Sequence, residues 1–405
     1  EGFTMKGPGS GTIVDRRNYT FIGKPNNGNI NLNITAGNDY LVGNPYPSAI
    51  DANKFILDNG PTIAGAGSTT GTLYFWEHWG GASHNLGDYQ GGYATYNLSG
   101  GVPSASFGTN DPDVGTGGTP TKIPYRYIPV SQGFFVVAEN TGVINFNNSQ
   151  RFYRKETTGT SVFVRSSQTT DYNSDPENSD TRMKFRFGFN SVNTIHRQLL
   201  LTIDDDTTIG YDWAYDGKLN EDQIDDMYWM IDGEKYNIQA RNPIDINSVV
   251  PLGIHVDNAG QNKIMIDHLE NVPDNINIFV HDKVLDTYHN LRDSDYTFSV
   301  PAGQYLDRYE ITFANAEALG IEENDLNAFE VYYANNTKSI VLVNPKLNEI
   351  KSIELFNLLG QSIHTIDNVS QEEYSEYKIE NLSTGSYIIK LYTESGSVSK
   401  QVLVK

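Results

Sequence analysis

The densest cluster of chemically active side chains lies between Asp204 and Asp232, where ten acidic residues accompany a single lysine. Crowded carboxylates repel one another, and a hard cation with about six to eight oxygen ligands relieves that repulsion. The candidate calcium ligands are Asp204, Asp205, Asp206, Asp225 and Asp226. The alternative is a solvated acidic loop that keeps the surface hydrated, since the segment contains no EF-hand loop.

A second candidate site is the aromatic cluster that begins at Tyr74. Flat rings stack against sugar faces, and neighbouring Asn and Asp side chains can bind sugar hydroxyls. The predicted glycan platform comprises Trp76, Trp79, Tyr89 and Tyr93. The alternative is that alternate aromatic residues fill the core of a β-sandwich, which is their commoner use.

No motif of the sequence is typical of a catalytic centre. The chain has no cysteine, no Gly-x-Ser-x-Gly elbow, no His-Glu-x-x-His and no phosphate-binding loop that opens a helix. Paired carboxylates are frequent, but no spacing distinguishes an acid from a base. The eight histidines are scattered, and no carboxylate–histidine motif accompanies His78 and His84. We therefore expect no enzymatic activity and no cofactor other than the candidate calcium ion.

Charge divides the chain into three segments. The net charge of −21 argues against nucleic acid as a partner, because nucleic-acid binding requires a basic surface. Residues 159–326 carry 12 basic and 30 acidic residues, whereas residues 1–158 carry 10 and 11 and residues 327–405 carry 7 and 9. This asymmetry supports a division into domains.

The composition predicts β-structure. The chain is rich in aromatic residues, and its 37 glycines and 16 prolines favour turns. Met183, Phe185, Phe187 and Phe189 alternate with other residues at the two-residue period of a strand. We expect an all-β fold of consecutive β-sandwich-like domains, the last a small seven-stranded Ig-like sandwich. The predicted parts are a Gly/Asn/aromatic-rich β module at 1–158, an acidic β-sandwich module at 159–315, a linker at 316–327 and a last domain at 328–405.

The start of the sequence resembles neither an initiator segment nor a signal peptide. Residues 1–6 contain no apolar core, and no stretch of the chain reaches the ~18 apolar residues that span a bilayer. We expect these residues to lie inside a longer polypeptide.

The last 80 residues resemble the type A sorting domain of the type IX secretion system of Bacteroidota. Three segments carry the resemblance: residues 353–361 (IELFNLLGQ), 382–387 (LSTGSY) and 400–405 (KQVLVK). Where the family begins with Tyr-Pro-Asn-Pro, this chain has Tyr333-Ala334-Asn335-Asn336. The resemblance implies that the secretion system recognises Gly360, Gly385, Tyr387, Lys400, Val402, Val404 and Lys405.

The preceding residues resemble segments found before such domains in very large Bacteroidota surface proteins. The segments are residues 40–48, 89–97 and 132–136. The resemblance implies export through the periplasm to the outer-membrane surface or beyond. The implied partners are an outer-membrane shuttle barrel, the translocon and a sortase-like peptidase that cuts near 314–330.

The sequence thus predicts the non-catalytic C-terminal part of a cell-surface protein of adhesin or stalk type. Further partners would be glycans or other surface proteins. The alternative is a carbohydrate-binding accessory region of a secreted polysaccharide-degrading enzyme.

Overall fold

Strands dominate the structure, a computed structural model that describes residues 20, 22–61, 69–80, 90–107, 123–153, 180–315, 330–345, 347, 349–379, 381–393 and 397–405. These residues form 29 strands and one α-helix of seven residues, so the prediction of an all-β fold is confirmed. No helix among them has the length and apolarity that a membrane crossing requires.

The chain divides into two compact units. Unit 1 comprises Glu1–Pro243, Ile254–Asp257 and Asn262–Pro273, and unit 2 comprises Ile244–Gly253, Asn258–Gln261 and Asp274–Lys405. The predicted domain boundaries stay predictions, and the predicted linker lies outside the described residues.

The first strands of unit 1 form three antiparallel sheets, of order β1–β10, β11–β3–β8 and β2–β9–β4–β5–β6. Their bounds are β1 Ile30–Ile34, β2 Asp39–Gly43, β3 Ala49–Asp51, β4 Thr69–Gly80, β5 Gln90–Asn97, β6 Gly100–Val102, β7 Ser106–Phe107, β8 Tyr127–Ile128, β9 Gly133–Ala138, β10 Gly142–Phe146 and β11 Arg151–Phe152. Strand β7 pairs instead with β13, the strand Ile195–Ile203.

The helix α1, Ala52–Asp58, covers the core that these sheets share. Asp51 caps it, because its carboxylate accepts the backbone N–H groups of Asn53 and Lys54. The Phe55 ring lies 5.4 Å from that of Phe134, edge to face, and both side chains are buried. Apolar burial therefore fixes the helix against the sheets.

The remaining strands of unit 1 form a larger sheet of order β15–β16–β13–β12–β18, with β14 beside β16. Their bounds are β12 Lys184–Asn190, β13 Ile195–Ile203, β14 Gly217–Lys218, β15 Asp226–Ile231, β16 Glu234–Arg241 and β18 Gly260–Glu270. The turn between β15 and β16 has positive φ at both Asp232 and Gly233. Such a turn matches the twist of the strands that it joins.

Unit 2 begins with strands around β19, which pairs with β20 and β22. The bounds here are β17 Val249–Val256, which unit 1 shares, β19 Phe279–Asp282, β20 Thr287–Asn290, β21 Tyr296–Val300 and β22 Gly303–Thr312.

The last seven strands form the two sheets β23–β24–β27 and β26–β25–β28–β29. Their bounds are β23 Glu330–Ala334, β24 Ser339–Val343, β25 Ile350–Asn357, β26 Ser362–Ile366, β27 Tyr374–Lys378, β28 Gly385–Thr393 and β29 Ser397–Val404. Buried residues of both sheets belong to one hydrophobic core, as expected for a small sandwich. We call residues 330–405 the C-terminal sandwich.

Candidate functional site

The last strand completes the C-terminal sandwich. Side chains of β29 alternate between core and solvent, as the period of a strand requires. Val402 and Val404 are 8% and 4% exposed, whereas Leu403 between them is 52% exposed. Val402 and Val404, two of the predicted recognition residues, are therefore core residues, and their neighbour Leu403 lies on the exposed face of β29.

The predicted recognition glycines lie at the ends of strands. Gly360 has a φ of +76°, in a turn whose N–H groups at Leu359 and Gln361 both donate to the side-chain oxygen of Asn357. This left-handed conformation explains why glycine suits the position. Gly385 begins β28, opposite Val404 of β29.

The other predicted recognition residues lie on the same two strands. Tyr387 is opposite Val402, and its hydroxyl donates to the carbonyl of Ser383. Lys400 and Lys405 are exposed. Asn335, which sequence reasoning did not select, contacts the end of β29 from the turn after β23. The structure thus places all seven predicted residues on or beside β25, β28 and β29, while their role in recognition stays a prediction.

The acidic segment is held by arginine and backbone N–H groups. Asp204 accepts a hydrogen bond of 2.5 Å from Arg182, whereas Asp205 and Asp206 are exposed. Asp225 is fully buried and accepts the backbone N–H of Asp257 at 2.8 Å. The carboxylates of Asp204 and Asp225 therefore already have partners, which the local sequence does not reveal.

Asp226 belongs to a buried ion-pair network with Arg197 and Glu221, which we call the Arg197 network. Arg197 is fully buried and donates to both carboxylate oxygens of Asp226, at 2.7 and 2.9 Å, and to Glu221 at 3.0 Å. Burial alone lowers the pKa of Arg197, but the two carboxylates raise it above its ordinary value. Burial raises the pKa of Glu221, and Arg197 opposes that rise. The network links β13 to β15, which lie on either side of β16 in the sheet.

A further acid of this segment, Asp216, is also structural. Its carboxylate accepts the backbone N–H groups of Asp212 at 2.6 Å and Ala240 at 2.8 Å. Burial raises the pKa of Asp216 to about 7, although these two hydrogen bonds lower it. Across the described residues, no group of three or more His, Cys, Asp or Glu side chains is arranged to hold a metal ion. Calcium binding stays a prediction.

A cavity of about 140 Å³ in unit 1 is lined by charged side chains that also pair with one another. Arg186 donates to Glu270 at 2.7 Å, and both side chains are 4% exposed. Arg182 donates to Asp180 at 2.6 Å. Each of these charges in the cavity lining therefore has a partner of opposite charge.

Two residues of the predicted glycan platform lie side by side. Trp76 of β4 is directly opposite Tyr93 of β5, with ring centroids 5.2 Å apart at an angle of 67°. Trp76 is 41% exposed, and a Cβ on Gly91 would lie 2.4 Å from its indole ring. The indole therefore covers the glycine backbone. The side chain of Trp79 and the whole of Tyr89 lie outside the described residues.

Comparison with known proteins assigns most of the chain to two families. Residues 1–313 match the family described as Domain of unknown function (DUF8693). Residues 331–405 match the Secretion system C-terminal sorting domain. No curated protein matches the chain.

Among solved structures, the chain is similar to a "Biofilm associated protein - BSP domain", with 10% identity. The match covers 86% of this chain and 68% of that chain, with a TM-score of 0.16.

Proposed function

The chain belongs to the DUF8693 domain family and carries a type IX sorting domain at residues 331–405, and on this premise we propose a non-catalytic surface protein of adhesin or stalk type. The sorting domain indicates a protein of Bacteroidota that interacts with the type IX secretion machinery. It also indicates export across the outer membrane to the cell surface or the extracellular space. The proposal concerns what the exported protein does there.

The observation that carries this proposal is the sorting domain itself, a complete two-sheet sandwich closed by β29. In our proposal, the outer-membrane shuttle barrel and the translocon bind this sandwich during export. The sortase-like peptidase then cuts between residues 314 and 330, the segment between the two matched families. Cleavage releases the protein or exchanges the sandwich for a surface anchor.

The buried charges of unit 1 support a role without catalysis. Arg186 pairs with Glu270, and Arg197 pairs with Asp226 and Glu221. In these ion pairs each charge is compensated by its partner, whereas a catalytic centre directs charge at a substrate. An exported chain whose charges serve its own stability suits adhesion or a load-bearing stalk.

Adhesion of living cells tests the proposed role. A type IX-competent host should display the full chain, with a signal peptide, and adhere more strongly to surfaces or other cells than a host that makes the chain without Gly385–Lys405. Mass spectrometry of the displayed chain should show a new C-terminus between residues 314 and 330. Equal adhesion of the two hosts would contradict the adhesin role, and an intact C-terminus would contradict the cleavage.

Carbohydrate binding is the second candidate, because Trp76 is exposed beside Tyr93 on one face of a sheet. An exposed aromatic ring can stack against the apolar face of a sugar ring. A glycan array probed with the full chain and with Trp76→Ala tests it. Binding that the variant loses would favour an accessory region of a polysaccharide-degrading enzyme, and no binding by either chain would exclude this site.

A further inference from the structure

The end of β29 has partners on both of its sides. On one side, its backbone pairs with β28, in a register that brings Val402 opposite Tyr387 and Val404 opposite Gly385. On the other side lies the turn that follows β23. From that turn, the side chain of Asn335 reaches the backbone of β29.

Asn335 makes two hydrogen bonds to this backbone. Its Nδ2 donates to the carbonyl of Leu403 at 3.2 Å, and its Oδ1 accepts the N–H of Lys405 at 2.6 Å. In an antiparallel pair, alternate residues direct both backbone groups to the same neighbour. The carbonyl of Leu403 and the N–H of Lys405, two residues apart, both point to Asn335 and thus lie on the edge of β29 that faces away from β28.

The amide of asparagine has the same donor and acceptor as a peptide group. Asn335 therefore acts as a one-residue extension of a neighbouring strand, added to the outer edge of β29. Few other residues could do so: aspartate lacks the donor, and alanine lacks both groups. The two hydrogen bonds fix the end of the strand that holds Val402 and Val404 in the core.

We propose that Asn335 is a positioning residue for export: it holds the Leu403–Lys405 end of β29 in the extended register that the secretion machinery binds. The machinery then meets an ordered strand end and not a frayed one. This role goes beyond the sorting function of the domain as a whole. It belongs to one residue, Asn335, which lies 68 and 70 positions before its contacts Leu403 and Lys405.

Strand ends open more readily than strand centres. Loss of two hydrogen bonds of ordinary strength should raise the opening equilibrium of the strand end about tenfold. The closed state loses the same free energy relative to the unfolded chain, so the melting temperature should fall modestly. A similar fall is expected for Ile340→Val, a core variant in β24 that leaves both hydrogen bonds of Asn335 in place. A loss of export in Asn335→Ala that Ile340→Val does not show, at a similar fall in melting temperature, distinguishes positioning from general stability.

Two variants remove the contact from opposite sides. Asn335→Ala removes both side-chain groups, and Lys405→Pro removes only the backbone N–H that Asn335 accepts. Asn336→Ala, in the same turn, is the matched control, and Lys405→Ala, which keeps the N–H, measures what the Lys405 side chain itself contributes to export. Each full chain, with a signal peptide, is expressed in a type IX-competent host, and its distribution among periplasm, surface and medium is measured.

We expect Asn335→Ala to accumulate in the periplasm with a severalfold loss of export while Asn336→Ala is exported normally, and Lys405→Pro to be exported severalfold less than Lys405→Ala. Hydrogen exchange of purified Asn335→Ala should show faster exchange confined to the end of β29. Normal export of both test variants would overturn the proposal. So would an equal loss of export in Ile340→Val, because the effect would then be one of folding.

Discussion

Replacement of Asp226 by asparagine tests how the acidic segment is stabilised. The substitution keeps the size of the side chain and removes its charge. In the folded protein, Arg197 lies 2.7 and 2.9 Å from the two oxygens of Asp226 and has no exposed surface. The variant therefore leaves a buried guanidinium with Glu221 as its remaining carboxylate partner, 3.0 Å away.

The expected loss of stability follows from this geometry. Removal of one partner from a buried ion pair costs about 3–5 kcal/mol of unfolding free energy. Because Glu221 still compensates part of the charge, we expect the lower end, about 3 kcal/mol. For a unit of this size, each kcal/mol lowers the melting temperature by about 2–4 °C. The variant should therefore melt about 6–12 °C below the unmodified chain.

Differential scanning calorimetry with and without millimolar Ca²⁺ measures this loss. The matched control is Lys218→Ala, which breaks an ion pair to Glu234 whose side chains are 52% and 57% exposed. Such an exposed pair contributes less than about 1 kcal/mol. A shift no larger than that of the control would refute the assignment of the Arg197 network as a stabilising element. A loss seen only in the presence of Ca²⁺ would assign Asp226 to calcium instead.

Two further predictions concern pH and calcium. Burial alone lowers the pKa of His281, but ion pairs with Asp286 and Glu310 raise it from 6.5 to about 9. The stabilisation from this raised pKa is fully present below pH 6.5 and is lost as the pH rises through about 9. Denaturant unfolding should therefore show that the free energy of unfolding falls by up to about 3 kcal/mol between pH 6.5 and about 9. An equal fall in the His281→Gln variant would contradict the assignment of this effect to His281. If calcium binds Asp204–Asp206 and Asp225–Asp226, free Ca²⁺ at a hundred times Kd should raise the free energy of unfolding by about 2.7 kcal/mol. Magnesium should raise it less. A melting temperature that calcium does not change would exclude the site.

Much of the fold could be predicted because its signals are local. The alternation from Met183 to Phe189 corresponds to β12, and the Asp232–Gly233 pair forms the tight turn that its residue types favour. The C-terminal sandwich was recognisable from three short segments that became β25, the start of β28 and the end of β29. Residue type and two-residue periodicity are sufficient for such elements.

The sites depend on contacts that no local pattern records. The acidic neighbours of Asp226 in sequence predict a calcium ligand, whereas its ion pair with Arg197, 29 residues away on another strand, has no local signal. The pairing of Trp76 with Tyr93 depends on the register of β4 and β5. Asn335 contacts the end of β29 across 68 residues. Contacts of this kind follow from the topology of the sheets, which local sequence patterns do not specify.

Export of a shortened chain tests the central claim most directly. The full chain and a chain without Gly385–Lys405, each with a signal peptide, should be produced in a type IX-competent host and in the same host without a functional translocon. The deletion removes β28 and β29, and with them half of the sheet β26–β25–β28–β29. The account predicts that only the full chain in the competent host reaches the surface or medium and that the other three combinations remain in the periplasm. Equal export of the full and shortened chains would contradict the claim that this sandwich directs secretion.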